Sequence, residues 1–113
     1  MSRKPVVAAV VAAIAAAVVW AASSAVTGHS EPWDAEGGYY LGGLLLAGLV
    51  AGAITPYAPW AHYCGAIAGQ LVYMILFERV GPLIGVGVLF LALYALVFVG
   101  GSFIGARMRL ALR

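Results

Sequence analysis

A chain of 113 residues in which 65% are apolar and 9% charged cannot be a soluble domain, because soluble domains carry roughly 25% charged residues and so short a chain cannot hide this much apolar surface in one core. With a mean hydropathy of +1.04, most of its surface needs lipid as solvent, and one membrane domain over residues 1–113 is the expected organisation. The net charge of +2 carries no cluster of basic and aromatic residues together, which excludes a nucleic-acid surface.

Four apolar runs follow in chain order. A helix of about 20 residues crosses a hydrocarbon core of about 30 Å, so an all-α integral membrane protein is expected, a four-transmembrane-helix up-down bundle. The first span covers 5–27. Its flanks, "SRKP" and "SSA", resemble those of a signal peptide, but the apolar stretch exceeds an ordinary signal core and reads as a retained helix. "TGHSEPWDAEGG" is a polar acidic loop at 28–38. The second span is 37–55. "TPYAPWA" holds two prolines, each of which biases the preceding residue away from helix, so it is a tight turn. The third span, 61–77, is short and is extended toward the interface by Tyr57, Pro59 and Trp60. "ERVGP" separates it from the fourth, 81–106. Connections this short predict antiparallel neighbours.

Charge placement gives an orientation. Five of the six basic residues lie at the ends, as Arg3, Lys4, Arg107, Arg109 and Arg113. Four spans put both termini on one side, and the positive-inside rule makes that side cytoplasmic. The acidic loop and the "ERVG" turn then face outward, with Arg79 offset by Glu78. Arginine outnumbers lysine, and Ala, Val and Gly dominate, a bias of GC-rich bacterial genes. The expected location is a bacterial inner (plasma) membrane, multi-pass, with both termini cytoplasmic.

Small residues recur four apart, at Gly48 and Gly52, at Ala61, Gly65 and Gly69, and at Gly101 and Gly105. Further pairs are Gly38 with Gly42 and Gly81 with Gly85. Such spacing lies on one helix face and lets backbones approach in lipid. With 15 glycines in the chain, composition alone also generates such pairs. A seam within one chain and a seam between chains are equally compatible with the pattern.

Gln70 is the one strongly polar side chain near mid-span. Tyr63, Ala66, Gln70, Tyr73 and Phe77 share a side of the third span, and Tyr94 lies at similar depth in the fourth. An unpaired amide in hydrocarbon costs several kcal/mol, so Gln70 needs a partner, for which Tyr94 or a backbone carbonyl is expected. Gln70, Tyr94, Tyr63 and Tyr73 are thus either an interhelical clamp or the lining of a path for solute.

The remaining reactive groups are sparse. His62 and Cys64 are two apart and do not face each other on a helix, so a catalytic pair is not expected. His62 is expected at the cytoplasmic interface beside Trp60; as a haem ligand it would lack a second histidine at its depth. His29, Glu31, Asp34 and Glu36 are of metal-ligating type, but the simpler reading is a solvated loop with Trp33, Tyr39 and Tyr40 as an aromatic belt. The single Cys64 excludes an internal disulfide. No span carries an internal carboxylate, which proton-coupled carriers of this size need, and no phosphate-cradling loop, HExxH or nucleophile–base arrangement occurs. No catalytic residue, cofactor or resident metal is therefore expected.

Trp33 in an acidic outer loop, Tyr39-Tyr40, the Pro/Trp turn at 56–60, Gly69-Gln70 and the Gly105–Arg109 ending together resemble a loose group of small, uncharacterised four-span bacterial inner-membrane proteins. The resemblance covers about residues 31–109, implies fold and location, and carries no activity. This chain departs from the group in having no arginine in the 55–60 turn. Two functions are compatible with these features. One is an accessory or structural subunit, or a self-associating bundle, whose partners are the lipid bilayer and other membrane subunits or itself, with no nucleic acid. The other is a small oligomeric channel or carrier for a neutral or weakly polar solute.

Overall fold

The computed structural model describes residues 3–28, 38–77, 81 and 84–112. The acidic stretch 29–37, with its candidate metal ligands, and Glu78 with Arg79 lie outside the described residues. The described chain is four helices: α1, Lys4–Thr27; α2, Tyr39–Ile54; α3, Pro59–Phe77; and α4, Ile84–Ala111.

The helix ends have local causes. Gly28, at φ 81°, takes the left-handed conformation that stops α1. At the end of α2 the Thr55 amide and hydroxyl both donate to the Ala51 carbonyl, at 2.8 Å each. The chain then reverses at Ala58, whose φ of 53° is left-handed and whose carbonyl accepts the amides of Ala61 and His62 at 2.9 and 3.3 Å. Helices α1, α3 and α4 are long and apolar enough to cross a membrane. Helix α2, at 16 residues, is about 24 Å long and is the shortest of the four, although the sequence pattern assigns that place to the third.

The bundle is held by two seams. On α2, a Cβ added at Gly48 would stand 2.0 Å from the Phe98 carbonyl oxygen, and one at Gly52 would stand 1.9 Å from that of Ser102. The contact is reciprocal, since a Cβ added at Gly101 or Gly105 on α4 would stand 2.2 or 1.9 Å from the carbonyl oxygen of Leu45 or Leu49. On α3, a Cβ added at Gly65 or Gly69 would stand 2.3 or 2.2 Å from the carbonyl oxygen of Ala9 or Ala13 on α1. Each seam therefore packs within one chain. Gly38, Gly42, Gly81 and Gly85 border open space.

Residue numbers ascend together along both seams, so α1 runs parallel to α3 and α2 parallel to α4. The expected antiparallel neighbours α1–α2 and α3–α4 are in contact, but the closest packing joins α2 to α4 and α1 to α3. Helices α2 and α3, though joined by a tight turn, are diagonal and barely touch; the circuit around the bundle is α1, α2, α4, α3. Glycine decides this arrangement. In lipid no hydrophobic force draws helices together, so the closest backbone approach, where dispersion and Cα–H···O contacts are densest, selects the partner.

Small residues make up much of the interior. The interior is lined with Ala8, Ala12, Ala16, Ala51, Ala66 and Ala95 and also holds Ser23, Gln70 and Ser102, all buried. Ile14, Leu46, Leu76, Leu89, Leu93 and Leu96 point outward. Trp20, Leu44, Leu91 and Phe98 are buried with the small residues.

Candidate functional site

Gln70 sits at the convergence of three helices. It is fully buried, and its Oε1 accepts the Trp20 indole N–H from α1 at 2.8 Å and the Tyr40 hydroxyl from α2. Its Nε2 donates to the Ala66 carbonyl one turn back, at 3.1 Å. An amide oxygen has two lone pairs, and both are filled. Of the two partners expected for Gln70, Tyr94 or a backbone carbonyl, it bonds the carbonyl of Ala66 and not Tyr94, whose ring lies 4.6 Å from that of Tyr40.

Aromatic rings enclose this amide. Trp20 meets Tyr40 edge-on at 6.4 Å and Tyr73 at 6.3 Å, and Tyr73 packs on Phe77 at 4.8 Å. Such pairs favour edge-to-face and tilted geometries. Gln70, Tyr73 and Tyr94 therefore belong to one cluster. Tyr63 is separate, and its hydroxyl bonds the Ala92 carbonyl of α4 at 2.9 Å. Tyr39 closes the first hairpin by donating to the Val19 carbonyl. Trp20 and Tyr40, the two donors, are not among the clamp residues read from the sequence. Their only advance signal is being hydrogen-bonding aromatics at the same end of neighbouring helices.

A second polar group lies at the opposite pole. His62 is 2% exposed: the ring turns inward, with Nε2 2.8 Å from Thr55 Oγ1. Thr55 Oγ1 thus lies within hydrogen-bond distance of both the Ala51 carbonyl and the His62 ring. Nδ1 is buried and has no hydrogen-bond partner among the described residues. Cys64 is exposed, on a face away from His62.

The chain ends supply this pole with the cations that the 55–60 turn lacks. Lys4 Nζ stands 5.4 Å over the Tyr57 ring, and the Arg107 guanidinium 4.9 Å over Phe103. Arg109 donates to the Ala53 carbonyl, one of the unpaired carbonyls at the end of α2, where positive charge is favourable. No protein-family model, curated protein or solved structure matches the chain.

Proposed function

We infer that the protein is a four-span protein of a bacterial inner membrane, with both termini cytoplasmic, that serves as an accessory or structural subunit. The outward apolar side chains and the pole at which Lys4, Arg107 and Arg109 gather support the membrane placement and orientation. One observation carries the structural role. The oxygen of Gln70 already holds Trp20 and Tyr40, so a solute could use it only by displacing a protein donor. The amide thus acts as a lock between α1, α2 and α3. The six seam glycines are consumed inside the chain, which leaves the lipid-facing side chains to meet partner subunits or a second copy.

Two measurements on the full chain test this. Solubilised gently from its native membrane, it should migrate as a complex larger than the free chain. Reconstituted alone into vesicles, it should pass glycerol or urea no faster than empty vesicles do. A flux that Gln70→Leu abolishes while the bundle stays folded would overturn the structural role in favour of the oligomeric channel.

A further inference from the structure

The two hairpins, α1–α2 and α3–α4, carry one docking face repeated. Gly48 and Gly52 on α2 stand 53 residues before Gly101 and Gly105 on α4, and each of the four faces the carbonyl three residues before its counterpart. The same shift carries Ala12 and Ala16 on α1 onto Gly65 and Gly69 on α3, which face the carbonyls of Ala9 and Ala13 in the same register. A face that is equivalent on both partners is the isologous kind that closes pairs.

The bonds divide between the hairpins. Tyr39 to Val19 lies within the first, and Tyr63 to Ala92 within the second. Both seams, the bonds of Trp20 and Tyr40 to Gln70, and that of Arg109 to Ala53 run from one hairpin to the other. Thr55 stays with α2 through its bonds to Ala51. An α3–α4 hairpin supplied by a second copy would remake all of these, and only residues 56–58 would change.

That segment holds Ala58, the one non-glycine residue at positive φ among those described. Its φ of 53° is costly for a residue with a Cβ, and Pro59 after it favours extended backbone instead. Opening the turn relieves both. The link from Thr55 to Pro59 then reaches about 14 Å, enough to step to an adjoining bundle, since packed helices lie about 8–10 Å apart. What is given up is local: the amide bond of Tyr57 to Thr55 at 2.7 Å, those of Ala61 and His62 to Ala58, and the seat of Lys4 on the Tyr57 ring.

We propose that the protein pairs with a second copy of itself by exchanging hairpins, with residues 56–58 as the hinge. The inference rests on the bundle geometry and is independent of the accessory role. A second copy that met the lipid-facing side chains would ignore the turn, which is what the test exploits.

The full chain is studied in micelles matched in density to the buffer, where sedimentation equilibrium reads the mass of the protein alone. Wild type should pass from monomer to dimer as the ratio of protein to detergent rises. Ala58→Gly should weaken the dimer about tenfold, which is about 1.4 kcal/mol, because glycine holds the closed turn without strain. Inserting about eight glycine and serine residues between Tyr57 and Ala58 frees the closed form and should leave a monomer. Deleting Tyr57 and Ala58 leaves too little chain to cross the bundle diagonal and should give a dimer at every ratio. The first two variants retain every helix and decide the question even if the shortened chain does not fold. A wild type that stays monomeric at the highest ratio would overturn the proposal. So would equal association of the wild-type and lengthened chains, or an Ala58→Gly dimer as tight as wild type.

Discussion

Trp20 and Gln70, fifty residues apart in the chain, are joined by a buried hydrogen bond of 2.8 Å from the indole N–H to the amide oxygen. Tyr40 fills the other lone pair of that oxygen. Removing the amide therefore affects two donors. Gln70→Leu should destabilise the bundle by on the order of 1–3 kcal/mol, the cost of stripping buried donors of their acceptor. Tyr40→Phe should cost about 1 kcal/mol, in the range of interhelical bonds in membranes, and Tyr40→Phe with Gln70→Leu should cost less than the sum, because both break one bond. Tyr94→Phe with Gln70→Leu should be additive. Unfolding in mixed micelles measures all of these, and strict additivity for the Tyr40 pair would remove the clamp.

At Gly52 an added methyl would collide with backbone rather than with a side chain that can swing away. Gly52→Ala should lower stability by about 1–3 kcal/mol, as overpacking does in well-packed interiors. Gly42→Ala, on the same helix with nothing within 4 Å, should be neutral or slightly stabilising, since alanine favours helix. The midpoints of thermal denaturation in detergent compare the two, and equal midpoints would contradict the close approach.

Thr55 holds His62 and the end of α2 together. Thr55→Val preserves shape and removes the hydrogen-bond partner of His62 Nε2, so a loss of about 1–3 kcal/mol is expected. Thr55→Ser keeps the hydroxyl and should recover most of it. Failure of serine to recover stability would mean that the methyl group, not the hydrogen bond, matters at this position.

The pole bearing Lys4, Arg107 and Arg109 should face the cytoplasm. In a Cys64→Ser background, Leu112→Cys, at a side chain 85% exposed, should react with a membrane-impermeant maleimide only after the cells are permeabilised. Labelling of intact cells would reverse the orientation.

Helix extents follow closely from the sequence. The expected 5–27 is Lys4–Thr27 in α1, and the expected 61–77 is Pro59–Phe77 in α3, because a hydropathy run and its Gly or Pro boundary are local properties. The glycine faces are equally local, since a spacing of four defines a stripe on one helix. The stripe does not say which helix will cover it, and the expected antiparallel neighbours are in contact while two parallel seams pack closest. Gln70 illustrates the same limit. Its need for a partner follows from the cost of a bare amide, yet Trp20 and Tyr40, not Tyr94, meet it, because depth along a span leaves the rotation of each helix about its axis free. His62 likewise turns its ring inward to Thr55.

The parallel seams also bear on how the protein is made. The α1–α2 hairpin leaves the ribosome with Gly48, Gly52, Ala9 and Ala13 uncovered, because their partners are on α3 and α4. Neither seam can close until the second hairpin is present, so assembly is an encounter between two hairpins and the turn at 55–58 acts as a tether. Each half carries one side of both seams. Two separate chains, one ending at the turn and one beginning there, should find each other in the bilayer and copurify.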